Sequence, residues 1–487
     1  MEETMRLKPV LAIIALSLAV AGTALAKETA KLPSTPAGKR ADAYLAAFNS
    51  GNEQTMREYM EKNVAPEALR QWSMEERLTV YRQMKEEMGG LTLRRVVETK
   101  ENAVTVLAQS QKGDWFKLGF EFEPKGEHKL LGIRIENTEP PPDPNLPKLT
   151  EAQVMDSLEA YLTGECKADE FSGTVLVVRG GRTVYEKAFG LASREYNIPN
   201  RADTKYNLGS INKFFTKIAI GQLVQEGKLS FDDALGKILP EYPNPDARQK
   251  VTIRHLLTMT SGIGDFFGEE YDATPKDCIR SIRDYLPLFT GKPLAFEPGT
   301  QRKYSNGGYV VLGAVIEKIT GQSYYDYVRE NIFKPAGMEY TDSYEADAPI
   351  QNLAMGYTRG EEGKKDNPWR SNIYTRPARG SSAGGGYSTV EDLLKFTLSL
   401  QANKFLSPEY TGWLLNDREP DKDRKAKPDS KVKKGGLGIA GGAPGINSML
   451  EMDPKSGYTT IVLTNYDPPC AMNVNRVIKG FLSRVKR

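Results

Sequence analysis

The chain has 487 residues, which at roughly 150 residues per domain suggests two or three domains. Its 66 Lys and Arg against 63 Asp and Glu leave a net charge of +3, which argues against a nucleic-acid binder. Two histidines exclude a His-built zinc site and argue against a Ser-His-Asp triad, and three cysteines exclude a disulfide-rich scaffold.

The N-terminus reads as an export signal. Arg6 and Lys8 precede an apolar run, Val10 to Ala21, broken by Ser17 alone. Ala24-Leu25-Ala26 then supplies the small-x-small pattern of a cleavage site, placed after Ala26. The run is shorter than the ~20 residues that span a bilayer, and no other segment could cross one. The first cysteine is Cys166, so no lipoprotein anchor site follows the run. The expected location is periplasmic or secreted. Cys166, Cys278 and Cys470 form an odd set and are expected to stay unpaired.

Residues 27–137 read as a small α+β accessory domain. Helical periodicity covers Ala41 to Ser50, Glu53 to Lys62 and Met74 to Met88. Strands are expected at Leu91–Glu98, Val104–Ser110, Trp115–Phe122 and Lys129–Ile135. This order resembles the cone-shaped nuclear-transport-factor-like or cystatin-like domains. His128 sits in a polar turn and reads as a surface residue. A proline-rich linker, residues 138–149, follows.

Residues 150–487 carry the chemistry. Ser210 and Lys213 form an S-x-x-K motif. Phe214, Phe215, Ile218, Ala219, Leu223 and Val224 recur behind it at helical spacing, and Gly227 ends the run. A helix so apolar all round belongs in the interior. Ser at i and Lys at i+3 share one face, and a dry site would lower the lysine's proton affinity. Other copies of the motif, at Ser430–Lys433 and Ser483–Lys486, open no buried helix. Tyr304-Ser305-Asn306 is a Y-x-N on a loop before the helix pattern Tyr309 to Ile319. Near Lys213, such a tyrosine could serve as a phenolate base. Another Y-x-N, Tyr242-Pro243-Asn244, reads as a turn.

These motifs, with Val251–Leu257, Thr260-Ser261-Gly262 and Gly384–Thr389, resemble the serine β-lactamase and penicillin-binding-protein superfamily. The likeness is to class C β-lactamases and their esterase, D-aminopeptidase and DD-carboxypeptidase relatives. It implies an α+β, β-lactamase/transpeptidase-like fold, in which an antiparallel sheet flanked by helices meets an all-α region. It also implies that Ser210 is the acylated nucleophile, Lys213 its activating partner and Tyr304 the proton-transfer base. Asn306, Gly441 and Gly442 would contact substrate, with the backbone N–H groups of Ser210 and Gly442 forming the oxyanion hole. No metal or cofactor is implied, and the expected partner is a small-molecule or peptide substrate. His255 matches a scaffold position.

The third element of the family, Lys or His then a small residue then Gly, departs from pattern. Ile439 takes the cationic place in Gly438-Ile439-Ala440-Gly441-Gly442. Lys455-Ser456-Gly457 spells the motif but reads as a hairpin turn, and Lys434-Gly435-Gly436 leads into the wrong part of the segment. The loss is expected to cost activity on carboxylate-bearing β-lactams. Gly380–Gly384 spells G-x-S-x-G but lacks the strand and downstream histidine of a nucleophile elbow, so it reads as a loop. It leads to a capping box, Ser388 with Glu391, before a helix at Asp392–Leu400. Strands are expected at Gly173–Arg179, Arg182–Phe189, Gly445–Met452 and Tyr458–Asn465, and a last helix at Asn473–Val485. The sequence thus points to an exported serine hydrolase acting on an ester, amide or D-amino-acid peptide. The alternative is a disabled hydrolase scaffold used as a binding or sensor protein.

Overall fold

In the computed structural model, residues 30–138, 146–360, 367–416 and 436–486 are described. The segment 1–26 that reads as an export signal, most of the linker and the Ser430–Lys433 motif lie outside them. The chain divides into two compact units, Met1–Pro141 and Pro142–Arg487.

The first unit opens with helices Pro36–Ser50, Glu53–Asn63, Pro66–Gln71 and Met74–Met88. Thr35, Asn52 and Ser73 cap three of them by accepting from backbone N–H groups of the first turn. The six-residue helix Pro66–Gln71 escapes the sequence reading because it is too short to show a period. A four-stranded antiparallel meander follows: Leu91–Lys100, Ala103–Ser110, Trp115–Phe122 and Leu130–Thr138. Its alternating burial turns Val104, Val106, Phe116, Leu118 and Phe120 onto Tyr44 and Phe48 of the first helix.

The second unit is built on a five-stranded antiparallel sheet. Its spatial order is Leu437–Ala443, Ile446–Asp453, Tyr458–Thr464, Gly173–Arg179 and Arg182–Phe189. Gly180 and Gly181, both at positive φ, close the hairpin between the last two. Strand Gly173–Arg179 is buried on both faces. Val175 and Val177 face the flanking helices Glu151–Lys167 and Cys470–Leu482, while Leu176 and Val178 face the main core. That core surrounds helix Asn212–Gln225, buried over most of its surface, as its apolar periodicity predicts. Behind the helix, Phe215 meets Phe333 and Phe396 edge to face at centroid distances of 5.1 and 5.0 Å.

Some boundaries move. The last helix starts at Cys470, not Asn473, and the strand after the glycines starts at Ile446. The helix at 390–401 is capped by Thr389, which accepts from Asp392 N, rather than by Ser388. Ser388 is buried and its hydroxyl pairs with Thr341, so tertiary contact takes the residue that the capping pattern claims. Lys455-Ser456-Gly457 is an exposed hairpin turn, as expected, with Asp453 accepting from Lys455 N. Asn244 caps Pro245–Lys250 and plays no part in the cavity described below. All three cysteines are free. No helix among the described residues is long and apolar enough to cross a membrane.

Phe215 is 1% exposed. Truncating Phe215 to Ala should destabilise the second unit by about 3–5 kcal/mol, read by urea unfolding followed by fluorescence.

Candidate active site

Ser210 lies in a single 3-10 turn, Gly209–Ile211, that runs into helix Asn212–Gln225. The turn is tied down on both sides. Asn207 Oδ1 accepts from Gly209 N, and the Ser448 hydroxyl donates to Leu208 O. The Ser210 Oγ is 2.6 Å from the Tyr304 hydroxyl and 3.2 Å from Lys213 Nζ. Three residues separated by up to 94 positions thus meet at one oxygen.

Lys213 is 7% exposed and donates to three acceptors: Ser210 Oγ, Asn306 Oδ1 at 2.6 Å and Ala383 O. Loss of water around the ammonium lowers its pKa to about 7, with the Asp265 charge opposing the shift. Tyr304 moves the other way. Its ring is half exposed, but burial around the hydroxyl raises its pKa, opposed by the hydrogen bond with Ser210. Burial of the hydroxyl thus favours the phenol form.

Asn306 is the first residue of helix Asn306–Thr320, whose cap is Ser305. Its amide orientation follows from its two neighbours. The Asp265 carboxylate can only accept, and it takes Asn306 Nδ2 at 2.7 Å and the backbone N at 3.1 Å. The Asn306 oxygen must then face Lys213. Asp265 escaped the sequence reading. It lies three residues past Thr260-Ser261-Gly262, with no motif or periodicity to mark it.

The Gly380–Gly384 loop is not a nucleophile elbow. Ser382 is fully buried and donates to Tyr309 O, while Ala383 O receives the lysine. His255 Nδ1 accepts from Thr252 N within a capping box, a structural use.

Gly441 and Gly442 lie on the edge strand Leu437–Ala443, which presses backbone to backbone on the serine turn. A Cβ on Gly441 would stand 2.0 Å from Leu208 O and 2.8 Å from Ser210 N. A Cβ on Gly209 would stand 2.8 Å from Gly442 N. Side chains are excluded there, so the backbone of the strand and that of the serine turn approach closely. Ile439, two residues earlier, is partly buried against the main core and does not line the cavity.

That cavity has a volume of about 410 Å³ and opens over Ser210, Tyr304 and Asn306. Phe266, Phe267, Tyr271 and Tyr285 make one apolar wall, and Gly441 to Pro444 make another. This size suits a drug-sized ligand.

A β-lactamase family model matches residues 156–479. A penicillin-binding protein of Bacillus subtilis (strain 168) is 33% identical over 324 residues, spanning 61% of this chain and 68% of that protein. A crystal structure of a penicillin-binding protein from Bacillus halodurans is 32% identical, with a TM-score of 0.56 over 68% of this chain and 99% of the other. The D-amino acid amidase of Ochrobactrum anthropi SV3, solved with D-phenylalanine, superposes with a TM-score of 0.56 at 23% identity. It covers 68% of this chain and 98% of its own, and shares the fold.

Two substitutions probe the site's geometry. Gly441→Ala, whose Cβ would push Leu208 O and Ser210 N away from the strand, should slow labelling of Ser210 by a serine-directed fluorophosphonate by about 10²–10³-fold, the range for displacing an oxyanion donor. Asp265→Asn removes a charge that holds Lys213 up. The pH midpoint of Ser210 labelling should therefore fall below 7.

Proposed function

The chain belongs to the β-lactamase family, and we propose that it is an exported serine hydrolase working through an acyl-enzyme on Ser210. Its substrates are esters, amides or peptides containing a D-amino acid. The observation that carries this reading is Ser210 Oγ within 3.2 Å of a lysine whose pKa is brought to about 7. A disabled scaffold would not need to keep a lysine buried against the serine hydroxyl.

In this reading the Lys213 amine takes the Ser210 proton as Oγ attacks the substrate carbonyl carbon. The new oxyanion is held by the N–H groups of Ser210 and Gly442. As the tetrahedral intermediate collapses, the carbonyl carbon's bond to the leaving oxygen or nitrogen breaks. The Tyr304 phenol protonates that atom, and the phenolate left behind takes the proton held by Lys213, whose Nζ lies 4.8 Å from the centre of the Tyr304 ring. Water then attacks the ester on Ser210 by the same steps in reverse. The fixed Asn306 presents a neighbouring amide to the substrate while Asp265 holds its orientation. The signal pattern at 1–26 supports export to the periplasm or the medium. The relatives' names, penicillin-binding proteins and a D-amino acid amidase, support acyl transfer from amides.

Intact-mass spectrometry after fluorophosphonate treatment should show a single adduct on the wild type and none on Ser210→Ala. No adduct on folded wild-type protein would overturn the reading. The acid limb follows from the sign of the lysine shift. Below about pH 7 Lys213 is charged and cannot accept the proton, so kcat/KM for an ester should rise through a midpoint near 7. Lys213→Met should lower kcat/KM about 10²–10⁴-fold and abolish that limb.

A further inference from the structure

A much smaller cavity shares Asn207, Tyr387 and Ile446 with the one over Ser210. Its volume is about 10 Å³, room for about one water molecule. Three of the residues that line it are asparagines from separate segments. Asn207 stands just before the serine turn, Asn372 in the loop that leads to the wall at Thr375–Ala378, and Asn465 just past strand Tyr458–Thr464.

The neighbours of each amide settle which way it points. Asn372 Nδ2 donates to Pro444 O at 2.9 Å. Asn465 Nδ2 donates to Leu191 O at 2.9 Å and Met355 O at 2.8 Å. A carbonyl oxygen can only accept, so in both residues the nitrogen faces these partners and Oδ1 faces away from them. Asn372 is 1% exposed and Asn465 3%, and neither Oδ1 accepts a hydrogen bond from any described residue. Asn207 is fixed in the opposite sense. Its Oδ1 accepts from Gly209 N at 2.9 Å, so its Nδ2 points elsewhere, with one long bond of 3.4 Å to Gly385 O. That bond uses one of its two N–H groups.

Buried amide oxygens are costly unless a donor meets them. We propose that this cavity binds one water molecule, which donates to Asn372 Oδ1 and Asn465 Oδ1 and accepts from Asn207 Nδ2. Three hydrogen bonds are usual for an internal water. The mixed lining sets the class of ligand. A metal cation would be drawn to the two oxygens but repelled by the Asn207 N–H, and no carboxylate among the described residues lines the cavity to offset its charge. An anion would be repelled by the two oxygens. Water matches two acceptors and a donor at once. Its site joins three segments, and through Asn207 it is one side chain from Gly209 N. The water thus braces the serine turn against the loop and the sheet. This site goes beyond the hydrolase reading and does not depend on it.

The test is a crystal structure of the full chain at a resolution that shows ordered water. A single peak within about 2.7–3.2 Å of both oxygens and of Asn207 Nδ2 upholds the site. No peak there overturns it. A metal ion, recognised by contacts of about 2.0–2.6 Å to oxygen, also overturns it. In solution, oxygen-17 relaxation dispersion of the solvent counts waters that stay bound longer than the protein tumbles. Asn372→Leu puts an apolar group of similar size where the amide stands, so the dispersion amplitude should fall by the contribution of one water. An unchanged amplitude in the folded variant overturns the proposal. If the variant does not fold, the wild-type density decides by itself.

Discussion

The arrangement around Lys213 is the constraint on which the site depends. A lysine 7% exposed can stay in the interior only if its N–H groups are matched, and here they meet Ser210 Oγ, Asn306 Oδ1 and Ala383 O. Each acceptor comes from a different segment: the serine turn, the start of helix Asn306–Thr320 and the Gly-rich loop. Satisfying one buried ammonium therefore aligns three parts of the chain. The same burial that demands these partners lowers the lysine's pKa to about 7. Packing and chemistry have one physical cause.

The second constraint is steric. The edge strand Leu437–Ala443 reaches the serine turn so closely that neither Gly441 nor Gly209 could carry a Cβ without displacing backbone. Sheet register makes this contact possible, because Gly441 pairs with Ser448, whose hydroxyl in turn donates to Leu208 O. The sheet and the helical region are thereby locked across the cavity. An apolar core behind the helix, centred on Phe215 and Phe396, keeps the serine turn from moving away from the strand.

Much of this was legible in the sequence because it is written locally. Apolar spacing from Phe214 to Val224 marks a buried helix, and Ser210 with Lys213 share one face by the 3.6-residue repeat alone. Alternation marks the strands, and Gly180-Gly181 marks their hairpin. Errors fall where the local signal is short or shared. The helix Pro66–Gln71 has no period to read. Ser388 satisfies a capping pattern, but Thr341 claims its hydroxyl and Thr389 caps instead.

The sequence by itself determined most of the longer elements and the two-part organisation, and it singled out Ser210, Lys213, Tyr304 and Asn306, which the fold brings together. Each of these rests on residue spacing within one segment or on motifs in fixed order. Tertiary structure alone decided which groups complete the set. Asp265 orients Asn306 from 41 residues away, and Ala383 offers a backbone oxygen to a lysine 170 residues away. Such partners carry no sequence signature, because a carboxylate and a carbonyl act here through position. Position across separate segments is fixed only when the sheet and the helices pack.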